Sequence, residues 1–201
     1  MTHRPTRSTI TLGILAGGRA TRLGGVDKAW LQRGTTPQVL RWRDRFAHEV
    51  SHVLVSANRQ LARYREAGLV TVEDHGSAGG AGPIAGLAAL ATACRTPWLL
   101  TIPVDLLDIE ACLLPRLIGG RGSDGACARD GDGAQPLVAL WRVAALAPAA
   151  ENSLSTGDFA VHALQRQLDM QVVHFSHVRF GNLNMPEDLV VAGIDPIQRR
   201  L

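Results

Sequence analysis

The residues that could do chemistry crowd into one stretch, Leu15-Ala16-Gly17-Gly18-Arg19-Ala20-Thr21-Arg22-Leu23-Gly24-Gly25-Val26-Asp27-Lys28. Glycine lets a backbone take positive φ and approach a ligand closely. Successive backbone N–H groups in such a turn form a nest for phosphate. Arg19, Arg22 and Lys28 add the countercharge that several phosphates need. The stretch follows the apolar run Ile10 to Leu15, which reads as a buried strand. A nucleotide-phosphate cradle at the C-terminal end of a first strand is where open α/β sheets bind ligands.

Two common cradles are excluded by spacing. G-x-x-x-x-G-K-[ST] is absent because Gly24 is followed by Gly25 and Lys28 lies further on, and G-x-G-x-x-G is absent too. Lys28 is the chain's single lysine beside twenty arginines. An arginine-biased composition could leave one lysine by chance. Its place among glycines favours a site that needs a compact, rotatable point charge rather than a planar fork.

The elements that must position this loop follow from apolar periodicity and turn residues. Thr36-Pro37 reads as the N-cap and first residue of a helix running to Val50. His52 to Ala57 is a second strand, Leu61 to Ala67 a short helix stopped by Gly68, and Leu69 to Glu73 a third strand. The glycine-rich segment 75–82 leads to Pro83, which opens an apolar helix to Cys94. Its small residues Ala85, Gly86, Ala88, Ala89 and Ala91 suit close packing on a sheet. Trp98 to Ile102 is a strand buried on both faces.

Asp108 can cap a helix running to Ile118, and Gly119 to Gly125 reads as a turn. Ala126 to Arg129 and Leu137 to Trp141 read as strands flanking Asp130-Gly131-Asp132-Gly133. Gly157-Asp158 precedes a helix through Leu168, Gln171 to Phe175 is a strand, and Pro186-Glu187-Asp188 opens a last helix. Strands alternating with helices predict an α/β fold: an open, mostly parallel sheet in three layers. No repeat or linker divides the 201 residues. They read as a single domain, 1–201, with tails at about 1–8 and 195–201.

Composition narrows the classes further. The chain is 46% hydrophobic and 19% charged, enough apolar material for a core and against disorder. A net charge of +3 suits an anionic small substrate, and with 4% aromatics it does not point to nucleic acid. No stretch approaches the length of a membrane span. Cys94, Cys112 and Cys127 are odd in number and widely spaced. They read as reduced, mostly buried thiols of a cytoplasmic protein, not a disulfide or zinc framework. The histidines lack ligand spacing.

Residues just past strand ends are Gly17 to Lys28, Asn58, Asp74, Asp105, Asn182 and Asn184, and this fold would gather them at one edge of the sheet. Each also has a plain structural reading: Asp74 as a turn cap, Asn58 as a helix N-cap, Asp105 as a strand terminator.

The glycine loop resembles the signature L-A-G-G-x-x-x-R-x-G-G-x-D-K of molybdenum cofactor guanylyltransferases, through Leu15, Ala16, Gly17, Gly18, Arg22, Gly24, Gly25, Asp27 and Lys28. Nearly the whole chain shares the likeness. Ser56-Ala57-Asn58-Arg59 resembles the family's N-A-N-R, which contacts the nucleotide. Glu73-Asp74 resembles its E-D, whose aspartate helps read guanine. Gly82-Pro83-Ile84-Ala85-Gly86 resembles G-P-L-A-G. Pro103-Val104-Asp105 resembles P-C-D, whose aspartate holds Mg²⁺. Gln135-Pro136-Leu137-Val138-Ala139-Leu140 resembles H-P-x-x-A-L, and the segment from Asn182 to Leu189 resembles N-x-N-T-P-E-E-L. Three positions depart: Ser56 for the first Asn, Leu106-Leu107-Asp108 after Asp105 in place of D-x-P, and Gln135 for a common His.

The resemblance implies a Rossmann-like nucleotidyltransferase fold and transfer of GMP from GTP to the terminal phosphate of molybdenum-molybdopterin, with Mg²⁺ as cofactor. It implies catalytic roles for Arg22, Lys28 and Asp105, with Asp105 the metal ligand. Leu15, Ala16, Gly17, Gly18, Lys28, Ser56, Asn58, Asp74 and Asp105 would bind nucleotide, and Gly82, Asn182 and Asn184 the second substrate. GTP, a molybdopterin-type acceptor and cofactor-delivery or recipient molybdoenzymes are the implied partners. The rival readings are a related enzyme using CTP or a sugar-phosphate acceptor, and a non-catalytic nucleotide-binding protein. The resembling cytidylyltransferases place alanine at the position of Gly17.

Overall fold

The computed structural model describes residues 5–17, 27–74 and 81–194. Gly18, Arg19, Arg22, the Gly24-Gly25 pair, the segment 75–80 and the tail 195–201 lie outside the described residues. At the chain start, Arg7–Thr9 form a 3₁₀ turn. The Arg7 guanidinium donates to the carbonyls of Ala47 and Val50 at 3.2 and 3.3 Å, so the segment expected as a tail is anchored from Arg7 onward.

The main sheet has seven strands: β1 (Ile10–Leu15), β4 (His52–Ser56), β5 (Val70–Val72), β6 (Trp98–Pro103), β7 (Gly125–Asp130), β8 (Gly133–Arg142) and β9 (Gln171–Phe175). Their spatial order is β5-β4-β1-β6-β8-β7-β9. All neighbours are parallel except at β8, which runs antiparallel to both β6 and β7. Helices α1 (Gln38–Phe46), α2 (Leu61–Glu66) and α4 (Leu113–Gly120) cover one face. Helices α3 (Gly82–Ala93), α5 (Val143–Thr156) and α6 (Val161–Gln167) cover the other. The expected three-layer, mostly parallel α/β sheet is what the chain forms.

Strand periodicity explains how one sheet serves two cores. In β1, Ile10, Leu12 and Ile14 enter the first core. Gly13 faces α3 instead, where an added Cβ would lie 2.9 Å from Leu90 Cδ1. Helix α3 is buried along most of its length, and its small residues permit that close seating. A third cluster, Leu31, Leu183, Leu189, Ala192 and Ile194, packs α7 (Pro186–Val191) beside the segment that follows Lys28.

The structure corrects four expectations. Thr36 is not a helix N-cap: Gln32–Arg33 (β2) and Thr36–Pro37 (β3) pair as a small hairpin. Gly34 turns that hairpin at φ +65°, so α1 starts only at Gln38. Asp108 does not begin a helix. Residues 106–108 stay out of helix because their backbone pairs with 180–182, and α4 starts at Leu113. Gly119 and Gly120 belong to α4 rather than to a turn. A Cβ on Gly120 would sit 2.6 Å from Val173 Cγ2, so glycine is there for close packing on β9. The segment from Val143 to Thr156, given no helix from sequence, is α5 despite Pro148 inside it. Burial of Leu146, Ala149 and Ala150 against the α3 core offsets the lost hydrogen bond.

Candidate active site

Four strands in the order β5-β4-β1-β6 end level with one another, since Leu15 pairs with both Ser56 and Pro103, and Ser56 with Val72. Backbone pairing continues past the ends: Ala16 N–H donates to Ser56 O at 2.9 Å, Ala57 N–H to Val72 O at 3.0 Å and Val104 N–H to Leu15 O at 3.0 Å. The strand order runs from β1 to β4 and β5 on one side and returns to β6 on the other, so the switch point, where open α/β sheets bind ligands, lies between β1 and β6. Gly17, Asn58, Asp74 and Asp105 all lie at this edge.

On the β5 side, Asp74 is the hub. Its Oδ1 accepts from Ser56 Oγ at 2.8 Å and its Oδ2 from Asn58 Nδ2 at 2.7 Å. Its backbone N–H donates to Asn58 Oδ1 at 2.9 Å. Ser56, expected to touch nucleotide, is buried, and its hydroxyl is spent on Asp74. Gly17 lies over this group: a Cβ there would be 3.4 Å from Asp74 Oδ2 and 3.7 Å from Asn58 Nδ2. Those are ordinary contact distances, so alanine would fit the protein and would claim space beside Asp74. Leu15 and Ala16 contribute backbone pairing, and their side chains pack toward the cores. Gly82 opens α3 at φ +53°, a conformation that favours glycine, and a Cβ there meets nothing within 4 Å.

On the β6 side, three segments far apart in sequence meet. Lys28 Nζ donates to Asp105 Oδ2 at 2.8 Å and to Asn184 Oδ1 at 2.9 Å. The side chains are sheltered but not sealed, 17% exposed for Lys28 and 22% for Asp105. Both therefore keep contact with solvent. Asn182 forms an antiparallel bridge with Leu106. Asn184 is fixed by its N–H bond to Asp188 Oδ2 at 2.8 Å.

Of the supports of this site, Asp27 stands in the glycine-loop signature, and the others carried no sequence signal on their own. Asp27 Oδ1 accepts the Ala29 N–H at 3.0 Å and so caps the 3₁₀ turn Lys28–Trp30 that presents the lysine. Burial pushes the Asp27 carboxyl above its ordinary value, against the pull of that hydrogen bond and of Arg59. Tyr64, 3.5 Å from Asp27 Oδ2, is itself pushed well up by burial and by the Asp27 charge. The loop after β6 is held by Trp42 Nε1 on Val104 O at 3.2 Å, Gln38 Nε2 on Leu106 O at 2.8 Å and Arg33 on Leu107 O at 3.2 Å. Leu106, a departure from the motif, is fully buried in the first core. A polar residue in an amphipathic helix, such as Gln38 at a core position of α1, is the one pattern that could have flagged these anchors.

Asp105 and the amide oxygen of Asn184 are hard oxygen donors. Among the described residues no three His, Cys, Asp or Glu side chains converge. Asp105 is the carboxylate here that could hold a hydrated divalent cation, since such a cation need take only one or two protein carboxylates, and its Oδ2 is now paired with Lys28. Free thiols remain at Cys94, Cys112 and Cys127, with Cys112 exposed rather than buried. No helix among the described residues is long and apolar enough to cross a membrane.

The family model described as MobA-like NTP transferase domain matches residues 12–172. The molybdenum cofactor guanylyltransferase of Serratia proteamaculans is 37% identical over 182 residues, 89% of this chain and 91% of that protein. The enzyme of the same name from Shewanella putrefaciens is 32% identical over 180 residues, 87% of this chain and 91% of that protein. In fold, the chain is similar to the molybdopterin-guanine dinucleotide biosynthesis protein A of Archaeoglobus fulgidus, with TM-score 0.66, 18% identity, and coverage of 91% and 96% of the two chains. It is similar as well to the 2-C-methyl-D-erythritol 4-phosphate cytidylyltransferase of Thermus thermophilus, with TM-score 0.65, 20% identity, and coverage of 90% and 96%.

Proposed function

This chain belongs to the family of MobA-like NTP transferase domains, and from that premise we propose that it transfers GMP from GTP to the terminal phosphate of molybdenum-molybdopterin. The observation that carries the reading is the meeting of Lys28, Asp105 and Asn184 at the switch point, with Lys28 Nζ 2.8 Å from Asp105. The names of the relatives, over most of the chain, support guanine nucleotide and molybdopterin as the substrates.

In this reaction a phosphate oxygen of the acceptor bonds to the α-phosphorus of GTP, and the bond to the bridging oxygen breaks as pyrophosphate leaves. Both reactants are anions, so the barrier is mostly repulsion and positioning. Lys28 supplies a charge on a flexible stem whose Nζ can exchange Asp105 for a phosphate oxygen. The backbone N–H groups from Gly17 onward, with Gly18 and Arg22, would hold the phosphates and stabilise the leaving group. Asp74, oriented by Ser56 and Asn58, would accept from guanine N–H groups or ribose hydroxyls. Asp105 would hold Mg²⁺, which supplies neutralisation of charge on the phosphate oxygens. Gly82, Asn182 and Asn184 would border the acceptor. No nucleophilic side chain is required.

The test is pyrophosphate release from GTP, CTP, UTP and ATP with Mg²⁺ and molybdopterin present. Release from GTP that needs both metal and acceptor is expected. Equal turnover of CTP, or GTP turnover without acceptor, would refute the assignment.

A further inference from the structure

One buried carboxylate away from the crevice is wired into it. Asp130 closes β7 and is 6% exposed. Its Oδ1 accepts the backbone N–H groups of Asp132 at 2.9 Å and Gly133 at 3.1 Å, which shapes the β7–β8 turn. Its Oδ2 accepts Gln135 Nε2 at 3.2 Å and the backbone N–H of Phe180 at 2.8 Å. The bond to Phe180 is not local. It reaches across to the segment that ends at Asn182 and Asn184.

Two further contacts tie the same pieces together. Gly131 N–H donates to Val178 O at 2.8 Å, and Arg179 Nε pairs with Asp132 Oδ1 at 3.3 Å. Phe180 is fully buried and packs on Phe175 with ring centroids 5.6 Å apart. From Phe180 the chain runs directly along the loop after β6. Asp108 N–H donates to Phe180 O at 3.0 Å, Leu107 N–H to Gly181 O at 3.3 Å, and Leu183 N–H to Asp105 O at 2.8 Å. The register of this pairing decides where Asn182 and Asn184 stand relative to Asp105. A shift by one residue would turn each side chain to the opposite face.

Burial works against ionisation of Asp130, but the four donors outweigh it and hold the carboxyl below its ordinary value. The ionised group can accept at all four positions. A neutral amide cannot, because its NH₂ would confront two of the donors.

We propose that Asp130 is a positioning residue for the acceptor half of the active site, fixing through Phe180 the register that places Asn182 and Asn184 beside Asp105. The nucleotide half, Gly17, Ser56, Asn58 and Asp74, hangs on β1, β4 and β5 at the other end of the sheet and does not depend on it. The assignment of the two halves rests on the functional reading above; the register control does not.

The experiment compares the unmodified protein with Asp130→Asn by hydrogen exchange without ligand and by steady-state kinetics. Expected is exchange faster by about ten-fold in peptides covering 105–108 and 178–184, with those covering 54–58 and 70–74 unchanged, the size set by one lost charge-assisted bond. The KM for GTP should stay within about two-fold, while kcat/KM for molybdopterin falls about ten-fold or more. Equal losses toward both substrates, or an intact acceptor term in a protein whose exchange has changed, would overturn the proposal. If the unmodified protein does not turn over GTP, the functional reading fails, and exchange alone then decides the register control. Should Asp130→Asn not fold, Gln135→Met removes one distant donor and leaves the turn intact. The same pattern at about two- to five-fold supports the proposal, and no change in either half overturns it.

Discussion

Gly86→Ala should uncouple nucleotide affinity from helix propensity. Gly86 lies within α3, where alanine is normally the better residue by about 1 kcal/mol. Here the added Cβ would lie 2.8 Å from Leu15 Cδ2 and 2.8 Å from Ser56 Oγ. The leucine tip can give way. The serine cannot do so freely, because it is 1% exposed and its hydroxyl donates to Asp74 at 2.8 Å. Either α3 backs off the sheet or Ser56 rotates and releases Asp74. Overpacking of this kind costs about 1–3 kcal/mol, so after the propensity gain the net destabilisation is about 0–2 kcal/mol. For a chain of this length that lowers Tm by up to about 8 °C. Release of Asp74 forfeits a hydrogen bond to a charged group, about 1.5 kcal/mol or more, and GTP affinity should fall by about ten-fold. Calorimetric titration with GTP and thermal melts measure the two terms separately. Ser56→Ala removes the same bond and one of the two obstructions, so the double variant should bind GTP no more weakly than Ser56→Ala alone, with a coupling of about 1 kcal/mol. A Gly86→Ala protein that melts higher and binds GTP normally would refute this account of Ser56 and Asp74.

The remaining expectations concern charge, metal, base choice and pH. Lys28→Ala should lower turnover by at least about ten-fold, 1.4 kcal/mol, and Lys28→Arg should not restore it, because a planar guanidinium does not replace a point charge between Asp105 and Asn184; full activity in the arginine variant would contradict this. Asp105→Asn should fold with a near-normal melt and lose turnover at ordinary Mg²⁺, and normal turnover would move the metal elsewhere, with Asp108 the first alternative. Gly17→Ala should shrink an expected GTP-over-CTP margin of about ten-fold or more in kcat/KM, since its Cβ would enter the space beside Asp74 without disturbing the protein; an unchanged ratio would show that Gly17 does not read the base. Asp130, with its folded carboxyl held below its ordinary 3.8, contributes stability that is fully present above that value and lost as pH falls through the lowered one. The acid limb of Tm against pH should therefore be flatter in Asp130→Asn. Parallel curves would contradict it, and Asp27, whose raised carboxyl acts in the opposite sense, is common to both proteins and cancels.

Much of the architecture is local information. The continuous apolar runs at Ile10–Leu15 and Trp98–Pro103, the positive-φ stop at Gly68 and the proline opening of α3 are legible one segment at a time. The strand–helix alternation then decides that residues just past the strand ends share one edge, which is how Gly17, Asn58, Asp74 and Asp105 were legible as a group. Tertiary pairing decided the rest. Thr36-Pro37 has the composition of a helix start, but the hairpin partner Gln32–Arg33 captures it. Residues 106–108 carry a helix cap and stay out of helix because 180–182 supplies their pairing. Pro148 argues against a helix until the α3 core offers burial to the alanines around it. That Ser56 serves Asp74, that Lys28 rests between Asp105 and Asn184, and that Asp130 holds Phe180 are contacts between segments 18 to 156 residues apart. Sequence spacing encodes which face of an element a side chain takes; it does not encode which distant donor will satisfy a buried oxygen, because that depends on strand order and register fixed only when the sheet assembles.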